Sequence, residues 1–263
     1  MKRIIFAAAV VATTWLVGCD SGTPTTPQPN PPAGTNPPAA PAKRLLVVTH
    51  TAGFRHGSIP VAETTLRDLA PDLYQAEFCR TAADVAQMLV PPALARFDAV
   101  FFANTTGNLG IPDVGAFLNW IAGGGGFLGA HSASDTYHES PEFLAMLGGE
   151  FEAHGSIVEA EVRVDEPANA IVAHLAPRFR ITDELYRFAR FDRTRVTLLL
   201  SLDRNPADGV GEAGRAAELP MAWQRTHGSG RVFYSAFGHR DEIWQDTRFR
   251  QHLREAIRWV MKM

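Results

Sequence analysis

Four short apolar runs in this sequence stop at a side chain able to bind a metal or a substrate, or to move a proton. RLLVVT gives way to His50, DAVFFA to Asn104, FLGA to His131, and RVFYSAF, one glycine later, to His239. Imidazole titrates nearest neutral pH and is the commonest transition-metal ligand. Histidines converging on one place therefore point to metal ligation or general acid–base catalysis. His56, His138 and His154 lie in segments that could reach the same place, and Glu184, Asp135 or Glu152 could add a carboxylate. No HExxH or other tight ligand pair occurs, so any convergence has to come from the fold. A histidine at a single strand end is also an ordinary hydrogen-bonded structural group, and nine histidines are only a mild excess for the chain. Ser132 sits one residue from the apex of a strand-to-turn segment shaped like a nucleophile elbow. The G-x-S-x-G frame is absent, which argues against a serine hydrolase.

The elements that must position these residues can be read in order. Apolar runs too short for helices and bounded by breakers predict buried strands over 44–49, 74–79, 98–103 and 127–130. Ser58 is a candidate N-cap for a helix to Leu69, with Ile59, Ala62, Leu66 and Leu69 on one side. Thr81-x-x-Asp84 resembles a capping box for the next helix, which Pro91-Pro92 breaks. A helix over 112–122 runs into Gly123 to Gly126, and a helix over 140–147 into Gly148-Gly149. The four glycines precede their strand, so they read as helix termination and close packing rather than a phosphate loop, and no nucleotide cofactor is expected. Strands alternating with helical connections demand an α/β fold with a mostly parallel sheet. In such a sheet the carboxyl ends of the strands, where ligands bind, share one edge.

The second half is richer in strands: 157–164, 184–189 after a turn at 181–183, 195–202, then a polar loop over 203–218 and a hairpin of 220–224 with 231–237. A final amphipathic helix covers 246–261. Cys79 reads as a small buried residue. The tryptophans read as core, with Trp244, just past His239, able to stack on a sugar ring.

The chain of 263 residues, 46% hydrophobic and 20% charged, suits one domain over 44–263 behind a non-globular leader. Lys2-Arg3 and the apolar run from Ile4 to Leu16 have the form of a secretory signal over 1–18, too short to span a bilayer. Leu16-Val17-Gly18-Cys19 resembles a bacterial lipobox, in which Cys19 becomes the lipidated first residue. The rest of 19–43 holds eight prolines among small polar residues and reads as a disordered tether. Losing Lys2 and Arg3 from 25 basic against 28 acidic residues takes the net charge from −3 to −5, which argues against a nucleic-acid partner. These readings predict a lipid-anchored protein of the bacterial cell envelope, facing the periplasm or the cell exterior. Replacing Cys19 with Ser is expected to abolish lipidation and to release or trap the precursor. A variant still processed and held in the membrane fraction by an acyl chain would contradict the lipobox.

The domain from Arg44 to Lys262 resembles the ThuA-like (trehalose utilisation) family. The resemblance is carried by GGGGFLGAHSAS, FLAMLGGEFEAH, DELY, LPMAW, GRVFYSAFGHRDEIW and FRQHLREAIRW in that order. It implies a three-layer flavodoxin-like sandwich like that of class I glutamine amidotransferases, with His131 where their nucleophilic cysteine stands, so amide hydrolysis is not implied. It also implies utilisation of trehalose or related disaccharides, including 3-keto sugars made by sugar oxidoreductases of the same pathway. The residues it singles out are His131, His154, Glu184 and His239, with His50 resting on its strand end.

The expected roles follow. His131, His239 and Glu184 are the catalytic candidates. His131, His154 and His239 are candidate ligands of a divalent metal such as zinc. His50, Asn104, Tyr186 and Trp244 are candidates for contacting a sugar. A hydrolase, lyase or isomerase and a non-catalytic sugar-binding or surface-assembly lipoprotein both remain open.

Overall fold

The computed structural model describes residues 43–207 and 219–263. The leader, Cys19, the tether and most of the polar loop over 203–218 lie outside the described residues. The strands are β1 (Arg44–Val48), β2 (Gln75–Cys79), β3 (Ala99–Ala103), β4 (Gly126–Ala130), β5 (Glu150–His154), β6 (Val158–Val164), β7 (Arg178–Asp183), β8 (Tyr186–Ala189), β9 (Thr197–Leu202), β10 (Leu219–His227) and β11 (Gly230–Ser235). The helices are α1 (Ile59–Leu69), α2 (Ala82–Met88), α3 (Pro91–Leu94), α4 (Val114–Ala122), α5 (Pro141–Leu147), α6 (Asp241–Gln245) and α7 (Thr247–Val260).

The main sheet has the order β2-β1-β3-β4-β11-β10-β9-β6-β7, and β5 pairs with β8 in a separate ribbon. From β2 to β11 every pairing is parallel; the strands beyond β11 continue the sheet antiparallel. Every residue of β3 and β4 is buried, as expected of parallel strands covered on both faces. Helices α1, α6 and α7 pack together, and α3, α4 and α5 form the other helical group. The α/β three-layer architecture expected from the strand–helix alternation is the one observed.

Local chemistry explains the boundaries. Thr81 and Asp84 form the reciprocal capping box at the start of α2, and Ser140 caps α5, which ends at the left-handed Gly148. Pro91 and Pro92 open the short α3, since proline fits the first turn of a helix, where its missing N–H has no partner to lose. A Cβ at Gly126 would run into Val260 of α7, so this glycine lets the closing helix lie against β4.

Two readings are corrected. Residues 181–183 end strand β7 rather than form a turn, and 150–154 form β5 where no strand was expected. Both are part-exposed strands carrying charged side chains, which gives them no apolar run to announce them. The closing helix falls where expected, with Asp246 capping α7, and a short α6 precedes it.

One histidine is structural. His252 of α7 is fully buried; its Nδ1–H donates to the Ile171 carbonyl at 3.1 Å, and its Nε2 has no hydrogen-bond partner. Burial lowers its pKa to about 4. It is therefore neutral in the folded domain, whereas the unfolded imidazole takes up a proton below about 6.5. Its contribution is complete above that pH and is lost as pH falls towards 4, amounting to about 3 kcal/mol at the limit. Urea unfolding of His252→Gln should depend less steeply on pH between 6.5 and 4 than that of the wild type. Equal slopes would refute the assignment.

Candidate metal centre

Parallel register brings the strand ends together: Ala103 pairs with Ala130, and Ala130 with Ser235. His131 therefore follows β4 at the same edge that the chain leaving β11 crosses on its way to His239. His56 arrives from the β1–α1 loop, two residues before Ser58. Glu184 follows the end of β7.

The side chains meet. His131 Nε2 lies 3.1 Å from His56 Nε2, 3.2 Å from His239 Nδ1 and 3.5 Å from Glu184 Oε2. Glu184 Oε2 is in turn 3.2 Å from His239 Nδ1. One ligand atom from each of His56, His131, Glu184 and His239 falls within 4.8 Å of all the others. Ligands about 2.0–2.1 Å from a tetrahedral zinc sit roughly 3.3–3.4 Å apart. The shorter separations here already match that edge length.

Protonation is set by what each ring touches. His131 Nδ1 is 2.9 Å from the Ala236 carbonyl, which can only accept, so Nδ1 carries the hydrogen and Nε2 presents its lone pair to the centre. A backbone carbonyl is the usual outer partner of a ligating histidine. Complete burial, reinforced by His56 and His239, holds the His131 pKa well below its ordinary value. Burial and His239 lower that of His56 to about 4. His239 goes the other way: its hydrogen bond to Glu184 raises its pKa. The Tyr186 hydroxyl, 2.9 Å away, donates to His131 Nε2, and burial raises its pKa so that it stays protonated. Two neutral imidazole lone pairs, a third imidazole and a carboxylate form a donor set suited to a zinc-class divalent cation.

The backbone beneath is held in unusual conformations. His131 has φ 49° and Asn104 φ 56°, in the left-handed region that residues other than glycine rarely occupy and that collects at functional sites. The Gly238 peptide, next to His239, is a hub. Its N–H donates to Asp183 Oδ2 at 2.8 Å, and its carbonyl accepts from Ser58 Oγ, Asn104 Nδ2 and Trp244 Nε1 at 3.0, 2.8 and 2.9 Å. Asp183 is buried, which raises its pKa to about 6 against the hydrogen bond from Gly238.

A cleft of about 270 Å³ opens over the centre, lined by Phe54, His56, Asp135, Phe151, His154, Glu184, Tyr186 and His239. On its rim Asp135 meets His138 Nε2 at 2.6 Å, and Glu150 meets His138 Nδ1 at 2.8 Å. Partial burial works against the charged form of His138, but these two carboxylates outweigh it and raise its pKa.

Several expected site residues fall elsewhere. Trp244 is fully buried beneath Gly238 and has no face to offer a sugar, and Asn104 is equally buried as a post for the same peptide. His50 is half-buried and interacts with Arg55 and Asp84 rather than with the other histidines. His154 stands outside the four-ligand group: its Nδ1–H donates to the Gly155 carbonyl at 2.8 Å, and the other oxygen of Glu184 lies 3.1 Å from the same nitrogen. The fourth ligand direction belongs instead to His56, one of the loop histidines expected to be able to reach this edge, eight residues past the end of β1. Asp183 gave no signal, since its partner Gly238 is 55 residues away.

The family model for ThuA, trehalose utilisation, matches residues 44–260. This chain belongs to the ThuA family. No curated protein matches it. A ThuA-like protein from Bacteroides uniformis ATCC 8492 is 23% identical, covering 88% of this chain and 95% of that one with a TM-score of 0.68. One from Parabacteroides merdae ATCC 43184 is 17% identical over 84% and 90% with a TM-score of 0.67. The β-galactosidase of Bacillus circulans sp. alkalophilus, 11% identical, matches 82% of this chain with 31% of its own length at a TM-score of 0.54. At these identities the likeness is one of fold. The ThuA match spans the sheet and all four ligand candidates, so the centre lies within the family domain.

Proposed function

We propose that this ThuA chain is a divalent-metal-dependent enzyme of carbohydrate utilisation, acting on a disaccharide or its 3-keto form as a hydrolase, lyase or isomerase. The observation that carries this reading is the lone pair of buried, neutral His131 Nε2, aimed at His56, His239 and Glu184 at near-tetrahedral spacing. An ion held by these four residues supplies Lewis-acid polarisation of a carbonyl or activation of water.

The chain's own groups do the rest. Tyr186 keeps its hydroxyl proton and can donate it in a hydrogen bond to a substrate oxygen once His131 is engaged. Glu184 Oε1 and Asp135 on the rim offer carboxylate oxygens to substrate hydroxyls or to an acidic proton beside a carbonyl. The leader over 1–18 and Cys19 support an extracytoplasmic, lipid-anchored location, with sugar oxidoreductases as pathway partners.

Elemental analysis of protein purified with zinc should give one ion per chain. Incubation with native and 3-keto disaccharides should then yield a product by mass spectrometry. A non-catalytic binder would hold the sugar and return it unchanged, and protein that takes up no ion would overturn the metal reading.

A further inference from the structure

We infer that Phe54 is the platform on which the apolar face of a neutral pyranose lies when a sugar occupies the cleft; this rests on the carbohydrate reading above. Nearly all large apolar side chains of the domain are buried. Among the described residues only Phe54, Ile157 and Met263 are exposed large hydrophobics, Phe54 the most at 66%, and it alone lines the cleft. Its exposure is not the looseness of an unpinned loop. The Phe54 carbonyl accepts from Thr106 Oγ1 at 2.8 Å and Thr51 Oγ1 at 3.0 Å, while Ala52 and Gly53 donate their N–H groups to the Thr106 carbonyl at 3.0 and 3.2 Å. The ring stands almost perpendicular to His56, with centroids 4.8 Å apart. A chain that spends this many hydrogen bonds to hold a phenyl ring in water, beside a metal ligand, is presenting that ring to a ligand.

The rest of the cleft says what kind of ligand. Its aromatic members are Phe54, Phe151 and Tyr186, and its polar members are three histidines and the carboxylates of Asp135 and Glu184. Aromatic faces with a few placed acceptors suit a molecule with C–H bonds on one face and hydroxyls around its edge. No Lys or Arg is among the lining residues, so the cleft lacks the guanidinium or ammonium forks that commonly hold a sugar phosphate. The geometry thus selects uncharged pyranosides. Trp244, the aromatic residue that sequence proximity to His239 suggested, is replaced in this role by a ring from the opposite end of the chain.

The test titrates the zinc-loaded full-length chain, by calorimetry, with trehalose, maltose and cellobiose, and separately with trehalose 6-phosphate. At least one neutral disaccharide should bind. Phe54→Ala should weaken it by about tenfold, whereas Phe54→Trp, which keeps an aromatic face, should stay within about threefold. Zinc content and melting temperature should match the wild type in both. Wild-type affinity in Phe54→Ala, or tighter binding of the phosphorylated sugar, would overturn the platform. If the wild type holds zinc but none of the three disaccharides, the platform falls and the metal centre stands. If zinc is not bound but Phe54→Ala still loses sugar, the metal reading falls and the platform stands.

Discussion

Replacing His131 with asparagine should remove the bound ion and the activity while leaving a folded domain. The expected loss of zinc affinity exceeds about 100-fold, because outer partners of ligands alone account for roughly 10–100-fold. Asparagine is the informative substitution, since it tolerates the left-handed backbone at φ 49° and its amide can replace the ring's hydrogen bond to Ala236. Alanine is a harsher change. A side chain at a strand end facing a cleft contributes little to packing, but His131 is fully buried against Tyr186, with ring centroids 4.3 Å apart. Truncation leaves the Ala236 carbonyl unpaired, at about 1–3 kcal/mol, so His131→Ala should lose stability together with metal. An asparagine variant that retains zinc at wild-type affinity would remove His131 from the centre.

Replacing Gly238 with alanine should cost both stability and metal. Its φ of 135° is a conformation that residues with a Cβ rarely adopt, and a Cβ there would lie 3.2–3.3 Å from Trp244, Asn104 and His131. Strain of this kind costs about 1–3 kcal/mol, which for a domain of this size lowers the melting temperature by roughly 2–12 °C. Relief requires the peptide to rotate, breaking its hydrogen bonds to Asp183, Ser58, Asn104 and Trp244 and swinging His239 away from Glu184. Calorimetric melting and zinc titration of the variant check both effects. Unchanged values would show that the Gly238 peptide does not hold the centre.

The parallel half of the fold was legible chiefly in β1, β3 and β4, which are buried and appear as short apolar runs ended by a turn or a polar residue, whereas the edge strand β2 is part-exposed. The strand-end argument found His131 and His239 for that reason, and Glu184 came from its family motif. The antiparallel half was less legible. In β5 and β7, exposure admits charged residues, and the alternation in EFEAH or RFRITD is too short to separate from a turn.

Within the site, neither a strand end nor adjacency was enough. Asn104 ends β3 and Trp244 follows His239 in sequence, yet their side chains point beneath Gly238, where they fix a peptide instead of meeting a ligand. His56, one of three loop histidines expected to be able to reach this edge, arrives at the centre because Ser58 ties the start of α1 to the Gly238 carbonyl. No local pattern encodes that tie.

The central claim is that His56, His131, His239 and Glu184 hold one divalent cation. Anomalous diffraction at the zinc edge, from crystals grown with equimolar zinc, tests it most directly. The account predicts a single strong peak about 2.0–2.2 Å from His56 Nε2, His131 Nε2, His239 Nδ1 and a Glu184 carboxylate oxygen. No peak at this position, or a lone peak at His138 on the rim, would contradict it.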